Sequence, residues 1–320
     1  MNRPDKIPGK NGSSNDAFLA DVYVSTQQVA EALGVSVTTV KRWVDQGILP
    51  AQRTAGGHRK LPLSELLRLV RRGDLPQPNL EILLGVAIPS TSDDLQQLAQ
   101  QVRQAAFQHD HTLLRALIRG AYTQGIPMAD LADCIIVPMM RAVGHGWETG
   151  TLDVMQEHRI TQEVAAVLYE LRELLRSGVD RHRPRAVGGA PEHDHYLLPT
   201  LLAQLTLLDC GWQAINLGPH TPPSAFQAAV EEFRPRLVWL SVTHLVHPEN
   251  FLAEFNPLAR QWQKQGIIIV VGGQALTPER RNQLVYTSYG DGFRQLAALA
   301  HSVVPPPAPP RRGRPPLERS

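Results

Sequence analysis

The chain has 320 residues, a formal net charge of +2, 42% hydrophobic and 19% charged residues. That length allows two or three domains, and the composition is that of a folded globular protein rather than a disordered one. Two cysteines, Cys134 and Cys210, with no CxxC exclude a disulfide framework or zinc knuckle and suit a reducing compartment. The polar start lacks the apolar stretch of a secretory signal, and no apolar run approaches the roughly 20 residues that span a bilayer, so a cytoplasmic protein with no membrane partner is expected.

Residues 1–20, rich in Gly, Ser, Asn and Pro, read as a disordered arm, and residues 21–75 as a compact basic unit. In YVSTQQVAEALGVSVTTVKRWVDQGILP the pattern predicts helix, tight turn, helix. Ser25 or Thr26 caps the first helix with Gln28 placed for a capping box, and Val29, Ala32 and Leu33 form its buried face. Gly34 suits a left-handed helix end, and Ser36 caps the second helix. Val40, Trp43 and Val44 are its expected buried face, which leaves Thr38, Thr39, Lys41 and Arg42 free to reach a major groove. The loop at Gly56-Gly57, flanked by Arg53, His58, Arg59 and Lys60, predicts a wing that lies along phosphates.

This stretch resembles the DNA-binding domain of the MerR family, whose A-x-x-x-G-V-s-x-x-T-v-x-R-W appears as Ala30 to Trp43. Gly47-Ile48-Leu49 and Arg53 to Arg59 follow in the family's order. The resemblance implies a winged helix-turn-helix on a double-stranded DNA operator, with Ser36, Thr38, Thr39, Lys41, Arg42, Arg53, His58, Arg59 and Lys60 as the DNA-binding residues. No heptad repeat follows, so a homo-oligomer would have to form through the rest of the chain.

Residues 76–93 form a Pro-containing linker, and 94–182 show apolar residues at three- and four-residue steps, which predicts a four-helix bundle cap. From 183 to 303 short apolar runs (RAVGGA, WQAINLG, RLVWLSVTH, GIIIVVGG) alternate with helical stretches, and a weak strand LVYTSYG comes last. The fold class expected is therefore multidomain α and α/β, ending in a doubly wound parallel, Rossmann-like sheet. Residues 304–320 are a Pro-rich basic tail, whose Arg312-Gly313-Arg314-Pro315 matches the core of a minor-groove AT-hook.

Trp147, nine residues, then Glu157-His158 places an indole before a helix that starts with a carboxylate–imidazole pair, a setting for a flat ligand with a polar substituent. A helical cap ahead of such a sheet resembles the cobalamin-binding module shared by methionine synthase and the light-responsive CarH/LitR-type regulators. There W-x(9)-E-H covers the upper face of cobalamin. The resemblance further implies His195 as axial cobalt ligand, Ser241 and Thr243 as hydroxyls on the nucleotide tail, and Gly272-Gly273 as small residues that admit that tail. The chain departs from the pattern at three places. His193 stands where an acid orients the ligand imidazole, unless Asp194 or Glu192 substitutes; Leu198 replaces a glycine; and Glu148 replaces a histidine after the Trp, with His145 as an alternative.

His109/His111, His193/His195 and His244/His247 lack a completing Cys or carboxylate at ligand spacing, and read as solvated or loop histidines. No G-x-G-x-x-G, P-loop or nucleophile elbow occurs. The resulting expectation is a regulator, not an enzyme. Its operator affinity answers to a cobalamin, adenosylcobalamin foremost, or to another tetrapyrrole such as haem or bilin, with a possible response to light. The alternatives are a ligand-independent regulator that uses a degenerate sensor for oligomerisation or docking, and a corrinoid methyl carrier.

Overall fold

Ser25 ends the first strand and starts the first helix: its hydroxyl accepts from the Gln28 amide at 3.1 Å, and the Gln28 side chain accepts from the Ser25 amide at 2.9 Å. A computed structural model describes residues 23–53, 57–71, 74–76, 78–79, 82–83, 94–176 and 183–304. The arm 1–20, Gly56 at the wing tip, most of the linker and the tail with its R-G-R-P lie outside the described residues.

Met1–Val86 form one unit. Its described elements are β1 (Tyr23–Ser25), α1 (Thr26–Leu33), α2 (Val37–Asp45), β2 (Gln52–Arg53), β3 (Arg59–Pro62) and α3 (Leu63–Arg71). Gly34 ends α1 with φ 66°, a conformation that would strain a side chain, and Ser36 caps α2. The strands form an antiparallel sheet in the order β1-β3-β2, which sets the wing beside the helices. β1 is an addition to the sequence reading. Val40 is the one fully buried residue of α2, whereas Trp43 and Val44 are only half-buried. So small a unit encloses a single turn of its second helix.

Ala87–Ser320 form the second unit. Its helical part comprises α4 (Asp94–Phe107), α5 (His111–Thr123), α6 (Met128–Leu131), a π turn (Ala132–Ile136), α7 (Val137–Glu148) and α8 (Val154–Arg176). α6, the π turn and α7 run as one bent helix, so the expected four-helix bundle is present. Pro138 has no amide to give to the preceding turn, and the ladder widens there into the π turn.

The α/β part follows as β4 (Arg185–Gly189), α9 (Leu197–Asp209), β5 (Gln213–Asn216), α10 (Pro223–Phe233), β6 (Leu237–Ser241), α11 (Pro248–Lys264), β7 (Ile268–Gly272), α12 (Pro278–Gln283), β8 (Ser288–Gly290) and α13 (Phe293–Val303). All five strands are parallel, in the order β5-β4-β6-β7-β8. The chain reverses direction across the sheet between β4 and β6, and in such sheets ligands bind beyond the carboxyl ends at that point. Val238, Leu240 and Val242 pack with Phe226, Phe255 and Trp262 of α10 and α11 on one face. α9 and α13 cover the other.

Two carboxylates join bundle to sheet. Asp209, at the end of α9, accepts from the Tyr122 hydroxyl at 2.8 Å and the Met128 amide at 2.9 Å. Asp133, in the π turn, accepts from the amides of Phe293 and Arg294, both at 2.8 Å, and so caps α13. Inside the bundle Glu170 pairs with Arg115 and Arg119. Asp209→Ala leaves a hydroxyl and an amide without their acceptor, and is expected to lower stability by about 1–3 kcal/mol in urea unfolding, with Asp209→Asn less affected.

Candidate functional site

α2 and the wing carry the first site. Thr38, Lys41 and Arg42 stand exposed on α2, and Arg53 and His58 on the wing. Ser36 is occupied as the cap of α2: its hydroxyl accepts from the Thr39 amide at 3.1 Å and lies 2.9 Å from the Thr39 hydroxyl. These two therefore position the helix start before they contact anything else. Lys60 is half-buried at the register position opposite Ser25 and Gln52. Arg59 reaches back to Asp45 at the end of α2 with Nη2 2.6 Å from the carboxylate, its side chain 22% exposed. It braces the wing against the recognition helix.

The second site begins at the carboxyl ends of β4 and β6. Asp194 is wholly buried. Its Oδ2 accepts from the amides of Thr243 at 2.6 Å and His244 at 3.0 Å, and its Oδ1 from the Tyr196 amide at 3.1 Å. Asp194 thus stitches the loop after β4 to the loop after β6, and no bond from it reaches the His195 ring among the described residues. As the acid that would orient that imidazole, Asp194 is corrected by this geometry: three backbone amides occupy its carboxylate. Glu192 is exposed and makes no such contact either.

Four imidazoles gather above this stitch. His195 stacks on His220 with ring centroids 4.9 Å apart and planes 23° apart. His193 lies 5.3 Å from His220 and 6.0 Å from His247. The His193 amide donates to His220 Nδ1 at 2.8 Å, and the His220 amide donates to the Asp194 carbonyl at 2.8 Å. His193 and His220 both hold a left-handed backbone, φ 68° and 53°, a strained state that the surrounding bonds over-determine. His195 therefore leans on a fixed ring rather than on an acid. The sequence reading missed His220, although its place in the turn after β5 was a usable signal.

Among the described residues no three His, Cys, Asp or Glu side chains are placed to hold one metal ion. His109 and His111 lie 6.2 Å apart, and burial pushes the His111 imidazole below its usual range. Burial likewise pushes the Cys210 thiol up to about 12, which leaves it inert.

On the bundle, Trp147 is 52% exposed at the end of α7, and Val154 and Met155 at the start of α8 are equally open. Glu157 accepts from the Thr161 hydroxyl at 2.9 Å and lies 3.4 Å from His158 Nε2. A shallow depression along α8 is lined by Val154, Met155, His158, Arg159, Gln162 and Glu163. Exposed large apolar groups beside a polar pair form a surface suited to a flat ligand. Among the described residues no hydrogen bond, ion pair or ring contact joins Trp147, Glu157 or His158 to the strand-end histidines. His145 and Glu148, 3.9 Å apart, are both exposed.

The remaining expected residues divide. Ser241 is buried and Thr243 half-buried, and neither hydroxyl has a protein partner among the described residues. Gly272 and Gly273 do not provide open room. A Cβ on Gly272 would lie 2.9 Å from the Gly290 carbonyl, and one on Gly273 2.2 Å from that of Val242. Both positions therefore require glycine because the chain's own backbone passes so close. Leu198 is buried. At the strand ends the structure thus brings together four imidazoles over a buried carboxylate, a donor set with ring nitrogens that a metal-centred ring could use.

Comparison with known proteins defines the class first: residues 23–76 match the helix-turn-helix domain family and residues 98–172 the B12 binding domain family. The chain is 29% identical over 264 residues to the HTH-type transcriptional repressor CarH of Myxococcus xanthus, covering 77% of this chain and 87% of that protein. It is 26% identical over 174 residues to the repressor CarA of the same organism, 53% of this chain and 57% of that one. A monomethylamine corrinoid protein of Methanosarcina barkeri shares the fold with TM-score 0.51 at 15% identity, over 65% of this chain and 99% of its own. The chain is thus similar to CarH-type regulators in both its domains. Among the described residues no helix is long and apolar enough to cross a membrane.

Asp194→Ala removes the acceptor of three backbone amides and is expected to cost about 2–4 kcal/mol of stability by denaturant titration. His195→Ala, on the exposed side of the same cluster, is expected to leave stability within about 0.5 kcal/mol of the parent protein.

Proposed function

We propose that this chain is a DNA-binding transcription regulator whose operator affinity is set by a cobalamin. The observation that carries this reading is the cluster around His195, at the reversal point of a parallel sheet, in the same compact unit as a B12-type helical bundle. Thr38, Lys41 and Arg42 read the operator's major groove, and Arg53, His58 and Lys60 meet phosphate, with Ser36, Thr39 and Arg59 holding the elements in place. The His195 imidazole is the residue that would hold the cobalt of such a ligand. Trp147, Glu157 and His158 would cover the ring, and an indole beside a carboxylate and an imidazole would suit an adenosyl group. A bound cobalamin supplies a cobalt centre with an exchangeable upper substituent, and light that removes that substituent is one input the site can read.

For the ligand to control DNA it must favour one packing of subunits over another. The exposed Trp147, Val154 and Met155 give the bundle an apolar surface on which a homo-oligomer forms in one ligand state. A soluble cytoplasmic protein fits this role, and the role requires no catalysis. A second reading, a regulator whose sensor serves only assembly, draws on the buried Leu198 and on an Asp194 carboxylate bonded to backbone amides and not, among the described residues, to the His195 ring.

The test incubates the purified chain with adenosylcobalamin, methylcobalamin, haem and biliverdin, in dark and light, and records spectra and affinity for a duplex selected from a random pool. A retained adenosylcobalamin that changes DNA affinity by about 5- to 150-fold is expected. Retention of none of the four ligands refutes the sensor half, and regulation unchanged in His195→Ala favours the second reading. Lys41→Ala is expected to weaken DNA binding and reduce its log–log salt slope by about one, measured from 50 to 200 mM salt.

A further inference from the structure

Side chains alternate along β6, so Trp239 and Ser241 face α9 while Val238, Leu240 and Val242 face α10 and α11. The neighbours of Trp239 on its own face are Gly188 on β4, Val270 on β7 and Leu237 and Ser241 on β6, so the small ones lie towards β4 and the carboxyl ends of the strands. Gly188 is its register partner on β4, and Gly272 is the partner of Ser241 on β7. Such a face would leave a groove beneath the strand ends, opening towards the unpartnered Ser241 hydroxyl. The Trp239 indole fills it.

Trp239 is 2% exposed, and a Cβ added to Gly188 would lie 2.0 Å from the indole Cδ2. Its Nε1 donates to the Thr200 hydroxyl at 3.1 Å, and that hydroxyl donates to Asn216 Oδ1 at 2.9 Å. Asn216 Oδ1 also accepts from the Gly218 amide at 3.0 Å. The ring is therefore bonded into α9 and β5 and is not a loose filler.

We propose that the site takes a tetrapyrrole ring and leaves any nucleotide tail outside the sheet, with Trp239 as the residue that closes the interior to the tail. The proposal rests on the cobalamin reading above and narrows it. The class of ligand accepted extends to corrinoids that lack the tail. A close-packed interior has no spare volume for a benzimidazole nucleotide unless this indole moves. The same closure leaves a cobalamin free to keep its own base on cobalt, so His195 competes with that base rather than replacing it by default.

The experiment titrates the full chain and its Trp239→Leu variant with cobalamin and with cobinamide, which has the corrin ring but no nucleotide. Absorbance reads both affinity and whether the ligand's own base stays on cobalt; circular dichroism and DNA binding confirm that the variant is folded, and Trp239→Phe serves if Trp239→Leu is not. The parent chain is expected to bind the two corrinoids within about threefold of each other, and Trp239→Leu to shift the ratio about tenfold towards cobalamin. A parent chain that prefers cobalamin by more than about tenfold, or a folded variant with an unchanged ratio, overturns the proposal. If the parent retains neither corrinoid but the variant takes up cobalamin, the closure stands and the cobalamin reading of the parent falls. If neither protein retains either corrinoid, both fall.

Discussion

A single buried carboxylate holds the ligand-facing end of the sheet together. Among the described residues no cation pairs with Asp194; its carboxylate accepts from three amides of two separate loops. Charge-assisted bonds of this kind are stronger than neutral ones, and a buried acceptor that lost them would carry the full penalty of desolvation. The loops after β4 and β6 are therefore locked to each other. The His193 and His220 backbones are held left-handed, and the four imidazoles are presented on a fixed base. Without Asp194 the two loops at the reversal point would lose their shared hydrogen bonds and keep the His193–His247 ring contact.

The bundle and sheet are fastened in a related way. Asp209 and Asp133 each cross from one to the other, and both accept from backbone amides rather than from flexible side chains alone. Arg294 adds an ion pair to Asp130. Such links fix the bundle against α9 and α13 but leave Trp147, Val154 and Met155, at the end of α7 and the start of α8, exposed. Rigidity lies where the two parts of the unit join, and apolar exposure lies at Trp147, Val154 and Met155.

The strand-end site is a rearranged version of the pattern it resembles. His193 stands at the acid position, and Asp194 is committed to the backbone. The orienting contact on His195 comes instead from the His220 ring, itself pinned by the His193 amide. Below it, Gly188, Ser241 and Gly272 keep their small size, but the space they would leave belongs to Trp239. Each change is local, and each is made by the chain's own packing.

Much of the architecture was legible from order and period. Ser25, Gln28, Gly34 and Ser36 announce the first two helices because capping is a local interaction between residues three or four apart. The change from helical to strand period marks the passage from bundle to sheet, since each element must bury its own stripe. What the sequence could not contain is which distant groups meet. Asp194 reads as a spare acid until the loop after β6 brings two amides to it from 49 and 50 positions away. His220 reads as a turn residue until parallel pairing sets β5 beside β4. Trp239 reads as one more apolar strand residue until register places it over Gly188. Local bonding chemistry decided the helices and their ends. The packing of parallel strands, which joins residues by space and not by spacing, decided the site.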